Sequence, residues 1–183
     1  AVPDGAGRSG GVSRDAGRSG RDGREDRGGE ASRGLKAGRT RATQGPMTVR
    51  RLTSPDAIAL AASDPSLVHI DVRSVPEFEA GHAPNAYNIP LMHMGPGGMT
   101  PNPGFAAEVQ ARFPRDTPIM VSCKAGGRSA RAAALLEGLG YTQLSDQIGG
   151  WSGGNGDPGW VAAGGPSTTQ TLPGRDHAAL KQG

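Results

Sequence analysis

The chain has 183 residues, enough for one well-packed domain and too few for two comfortable ones. Its single cysteine excludes an internal disulfide and any multi-cysteine metal site, and it fits a reducing compartment. No apolar run approaches the ~20 residues of a membrane span and no leader pattern is present, so the expected address is the cytoplasm.

The formal charge of +3 is unevenly spread. Residues 1–46 carry nine Arg and one Lys against six acids, a net of +4, and the remainder carries ten basic and eleven acidic groups, a net of −1. The first 46 residues are Gly, Arg, Ser and Asp with Gly-Arg-Ser-Gly twice, at 7–10 and 17–20. Such a segment buries too little to offset its conformational entropy and is expected to be disordered. It is the one place that could touch nucleic acid, but acids interleave and stacking aromatics are absent, so no nucleic-acid partner is expected. Met47 is the first methionine, directly before the patterned sequence, so residues 1–46 are also readable as upstream translated sequence. The intact mass of the native protein distinguishes the two.

From there the chain alternates. A short strand is expected over Val49–Leu52, then a helix over Ser54–Ala62 with Ser54 as N-cap and Pro55 in its first turn. Leu67–Val72 is an apolar run suited to a strand buried on both faces. A short helix over Arg73–Ala80 is stopped by Gly81, and a third strand falls within Ala86–Ile89. A Met-, Gly- and Pro-rich loop over 91–104 precedes a helix over Phe105–Phe113. Pro118–Ser122 is a strand, Ser129–Leu139 a helix ended by Gly140, and Tyr141–Leu144 the last strand. Trp151 and Trp160 are expected to pin a closing segment, and residues 167–183 to form a flexible tail. Alternation of this kind predicts an α/β domain over 47–166, a parallel sheet with helices on both faces.

The reactive stretch is Cys123-Lys124-Ala125-Gly126-Gly127-Arg128. It joins an apolar strand to a helix, so backbone N–H groups and a helix N-terminus converge on the thiol. Those dipoles, with Lys124 and Arg128, favour a thiolate and mark Cys123 as a nucleophile. Strand carboxyl ends are where parallel sheets place their sites. Asp71 and Arg73 leave the second strand beside it as supporting residues. Arg73 is expected to pair with Glu77, four residues on, while Asp71 could orient loop groups. The Met92-His93-Met94 and Met99 cluster reads as adaptable packing, and His69, His82, His93 and His177 lack zinc spacing, so no metal is expected.

Two segments then resemble the rhodanese-like domain in its single-domain sulfurtransferase form. One runs from Asp71-Val-Arg73 through Glu77 and Gly81-His82 to Asn88-Ile-Pro90. The other is the Cys123–Ser129 loop with Gly138-Leu-Gly-Tyr141 and Gly149-Gly-Trp151. The resemblance implies a five-stranded parallel sheet, no cofactor, and a Cys123 that carries sulfane sulfur as a persulfide. It implies that the amides from Lys124 to Arg128 cradle the persulfide and substrate anion, and that the basic loop favours thiosulfate as donor. The acceptor would be cyanide, a small thiol or a protein partner, and the protein a monomer. Residues 152–159 depart from the family pattern as an insertion. A cysteine phosphatase or arsenate reductase is the main enzymatic rival, but those loops place arginine six positions after cysteine, where Ser129 stands here. A non-enzymatic sulfur-relay module is the other alternative.

Overall fold

Ile119, Met120 and Val121 are all fully buried, although successive strand side chains point to opposite faces. A strand of that kind needs cover on both sides, and each such side chain contributes about 1.5–3 kcal/mol on burial. This computed structural model describes residues 49–181, so the reading of residues 1–46 lies outside it. In chain order the elements are β1 (Arg50–Leu52), α1 (Ser54–Ser63), β2 (Val68–Asp71), α2 (Val75–Glu79), β3 (Tyr87–Asn88), β4 (Met92–Gly95), β5 (Gly98–Pro101), α3 (Phe105–Arg112), β6 (Ile119–Ser122), α4 (Gly127–Gly138), β7 (Leu144–Gln147) and α5 (His177–Leu180).

Five strands form one sheet in the order β1-β7-β6-β2-β3, with every pair parallel. On one face Ile70, Ile119 and Val121 pack with Phe105 and Val109 of α3 and Ala132, Ala133 and Leu136 of α4. On the other, Met120 and Leu52 pack with Ala57 of α1, Phe78 of α2 and Trp160. The expected α/β architecture with helices on both faces is what forms.

Several details differ from the sequence expectation. Helix α1 is capped by Thr53, whose side chain accepts from the Asp56 amide, and Ser54 is already the first helical residue. Ser54 is fully buried and bonds instead to Asp157 and Gln147. The loop over 91–104 contains the β4–β5 antiparallel hairpin, with Met94 opposite Met99. Its residues are largely exposed, so no inside–outside alternation marked it. The last strand is β7, three residues later than expected. Tyr141 instead closes the α4 turn, its amide bonding Leu136 O and its hydroxyl donating to Phe113 O at 2.8 Å.

Residues 167–181 pack onto the domain rather than trailing as a flexible tail. His82 and Thr168 exchange backbone hydrogen bonds of 2.9 and 2.8 Å, and the Asn88 amide of edge strand β3 donates to Arg175 O at 2.8 Å. The Arg175 guanidinium stacks 4.4 Å over Tyr87, and Leu180 enters the core. These anchors are too widely spaced to produce a periodic signal.

Candidate active site

Strand β6 delivers Cys123 to its carboxyl end, and α4 begins four residues later. Between them the chain turns tightly enough that the Gly126 N–H donates to the Cys123 Sγ at 3.1 Å. The Ser129 hydroxyl lies 3.5 Å from the same sulfur and donates to Gly126 O at 3.1 Å. Cys123 is only 1% exposed, so the sulfur sits in a nearly dry recess beside a fixed amide dipole.

The segment after β7 braces this loop from behind. The Trp151 amide donates to Cys123 O at 2.7 Å and the Ser152 amide to Lys124 O at 2.9 Å. Gly126 has a φ of +87°, and a Cβ there would fall 2.0 Å from Ile148 O. Asn155 donates to that same carbonyl at 2.8 Å. Asp157 then ties the segment to α1 by accepting from the Ser54 amide at 2.8 Å and the Gly159 amide at 2.9 Å. Residues 152–159, an insertion by sequence, are thus part of the wall that shapes the thiol loop.

The predicted site residues divide by position. The side chains of Lys124 and Ala125 are exposed at the rim, Gly126 is buried beneath it, and Gly127 opens α4. Arg128 is half-buried and makes a two-pronged pair with Glu77, at 2.7 and 2.8 Å. Asp71 and Arg73 are both buried and bound to each other, with Arg73 also donating to Gly81 O at 2.7 Å and lying 4.6 Å over the Trp151 ring. The expected Arg73–Glu77 pair does not form. Arg73 turns inward, where only an adjacent buried carboxylate and carbonyl can satisfy its charge, and Glu77 reaches across the site to α4 instead.

Glu77 and Ser129 take part in the site in ways the sequence did not announce: Glu77 figured there only as the partner of Arg73, and Ser129 only as the position where a phosphatase loop places arginine. Ser74-Val-Pro-Glu77 is a capping-box pattern, and the Glu77 carboxylate does accept from the Ser74 amide and hydroxyl at 3.0 and 2.7 Å. Arg128, ahead of Ser74, holds that carboxylate down to about 2. Reciprocally, Glu77 pushes the Arg128 guanidinium up, with the Cys123 and Asp71 charges adding to it. His69 lies deeper, its Nε2 2.7 Å from Ser122 Oγ, and burial pushes its imidazole down to about 4. Among the described residues, no group of three or more His, Cys, Asp or Glu is placed to hold a metal ion.

This strand–loop–helix cradle lies within a longer pattern, since residues 54–157 match the model of the rhodanese-like domain. The chain belongs to the rhodanese-like domain family. Thiosulfate sulfurtransferase 16, chloroplastic, of Arabidopsis thaliana is 42% identical over 84 residues, covering 46% of this chain and 70% of that protein. Protein HIGH ARSENIC CONTENT 1, mitochondrial, of the same plant is 36% identical over 96 residues, or 52% of this chain and 53% of that one. This chain thus spans only about half the length of several of the curated relatives it matches. Among solved structures, Rv0390 from M. tuberculosis aligns with a TM-score of 0.57 at 26% identity, covering 67% of this chain and 98% of that one. The rhodanese-like domain of the Anabaena protein Alr3790 aligns with a TM-score of 0.54 at 18% identity, covering 69% of this chain and 86% of that one, and shares the fold.

Proposed function

We propose that this rhodanese-like domain is a sulfurtransferase that carries sulfane sulfur as a persulfide on Cys123. The observation that supports it most directly is the Gly126 amide aimed at the Cys123 sulfur from 3.1 Å, in a loop that opens a helix. A fixed N–H dipole in a water-poor recess stabilises a sulfur anion without reorganisation. The sulfurtransferase named among the relatives adds support for the class.

With thiosulfate as donor, the Cys123 thiolate attacks the outer sulfur. The new S–S bond forms as the old one breaks, and sulfite leaves with the bonding electron pair. The terminal sulfur of the persulfide then passes to a thiophile. Cyanide would leave as thiocyanate and regenerate the thiolate, and a thiol would leave as its own persulfide. No second cysteine among these 183 residues takes the sulfur up, so a small thiophile or a protein acceptor fits the rim that Lys124 and Ala125 expose.

A thiosulfate:cyanide assay with mass analysis of the protein tests this reading. Thiocyanate production and an added sulfur on the wild type, both lost in Cys123→Ser, are the expected result. A wild-type protein that gains no sulfur from thiosulfate or an alkyl persulfide would overturn it. Arsenate reduction is a second reading, prompted by the relative whose name refers to arsenic. It predicts arsenite release with a thiol reductant, and Arg128, five rather than six positions after Cys123, weighs against it.

A further inference from the structure

Three basic side chains come from the thiol loop and the elements around it, and their pairing decides what charge the site offers. Arg73 is cancelled by Asp71 at 2.6 Å, both side chains being almost fully buried. Arg128 is cancelled by Glu77 through two bonds of 2.7 and 2.8 Å. Lys124 is exposed and forms no ion pair among the described residues. Glu77 is not a casual surface partner, because its Oε2 also accepts from the Ser74 amide and hydroxyl, which fixes it at the start of α2. The carboxylate stays ionised throughout the working range. A loop that carries two cations by sequence thus presents a net charge nearer one.

We propose that Glu77 is a specificity-determining residue: by neutralising Arg128 it tunes the recess to monoanionic sulfane-sulfur donors over the dianion thiosulfate. The proposal rests on the sulfurtransferase reading and narrows its donor class to thiosulfonate- or persulfide-type monoanions. The chemistry is otherwise the same. The Cys123 thiolate attacks the terminal sulfur of an alkanethiosulfonate, the S–S bond breaks, and a sulfinate leaves with the electron pair where thiosulfate would release sulfite. Donor charge is the principal difference, and a second positive charge a few ångströms from the donor is worth on the order of tenfold in kcat/KM or more.

The test compares thiosulfate with methanethiosulfonate in loading Cys123, followed by mass and by thiocyanate formation. The proteins are wild type, Glu77→Gln and the double variant Glu77→Gln/Arg128→Gln. Glutamine keeps the capping box of α2 while removing the charge. In the wild type the monoanion should have the higher kcat/KM. Glu77→Gln should shift the ratio towards thiosulfate by on the order of tenfold, chiefly through KM. The double variant, with the pair removed as a unit, should return the ratio to that of the wild type. A ratio unchanged in Glu77→Gln while sulfur loading persists overturns the proposal. So does a double variant that keeps the shift, or a Glu77→Gln protein that loads neither donor. If the wild type itself takes sulfur from neither donor, the sulfurtransferase reading fails first and carries this one with it.

Discussion

Gly126 holds a position that no other residue type fits. Its φ of +87° lies in the left-handed region, and a Cβ would collide with the Ile148 carbonyl at 2.0 Å and the Asn155 amide at 2.4 Å. Its own N–H must also face the Cys123 sulfur. Gly126→Ala should cost about 3 kcal/mol or more in stability and abolish sulfur loading, readable by thermal melts and intact mass. Asp146 poses the opposite case, a buried carboxyl whose Oδ1 has no hydrogen-bond partner and which burial pushes up. Ser129 and Arg51 offset only part of that push, so Asp146→Asn, which removes the charge, should stabilise the protein by about 1 kcal/mol at neutral pH. An unchanged or lowered melting temperature would show that the carboxylate is paired in solution.

At the scale of elements, the segment from Trp151 to Gly159 and the thiol loop stand or fall together. Asp157 is the tie, joining α1 and the Gly159 turn. Asp157→Ala should loosen the segment, cutting sulfur loading about tenfold while removing only about 1–2 kcal/mol of stability. Equal loading rates in the variant and the wild type would show that the loop keeps its shape alone. How legible these elements are in the sequence depends on what holds each one. Val68–Asp71 and Ile119–Ser122 announce themselves because buried parallel strands read as apolar runs. Strand β7 does not, since Ser145, Asp146 and Gln147 are polar yet buried between two neighbours. The thiol loop is legible through its glycines and its place between strand and helix. The Glu77–Arg128 pair is not, because its members lie 51 residues apart and only the fold brings them together. A local i,i+4 rule favoured Arg73–Glu77, and burial of Arg73 overrode it.

For the whole molecule, acid is the informative stress. His69 is buried with its imidazole pushed from 6.5 down to about 4, so the folded state refuses a proton that the unfolded chain accepts. Stability is therefore complete above pH 6.5 and falls as pH drops towards 4, by about 3 kcal/mol for this residue alone. His177 is also pushed down, mainly by burial, and acts with the same sign. Glu77, held down from 4.5 to about 2, acts with the same sign, its contribution fading from about pH 5 downward and so adding to the slope at the acid end of the window and below it. Urea melts between pH 4 and 7 should show this slope, and His69→Gln should flatten it; an unaltered slope would shift the effect to other groups. The segment after residue 166 matters at the same scale. It covers the open edge of β3 through Asn88 and Arg175 and adds Leu180 to the core. Deleting residues 167–183 should lower the melting temperature and promote self-association through the bared edge, measurable by light scattering.

The hydrogen bonds from Trp151 and Ser152 to the carbonyls of Cys123 and Lys124 also bear on how this chemistry could be moved between proteins. The peptide from Cys123 to Arg128 is not a portable part. Grafted alone after a strand of another α/β scaffold, it would lose the partners that absorb its outward-facing carbonyls and the carbonyl wall against which Gly126 is shaped. The transferable unit is two stretches of chain, one bearing the sulfur and one serving as its mould, and substitutions in either should be read as changes to both.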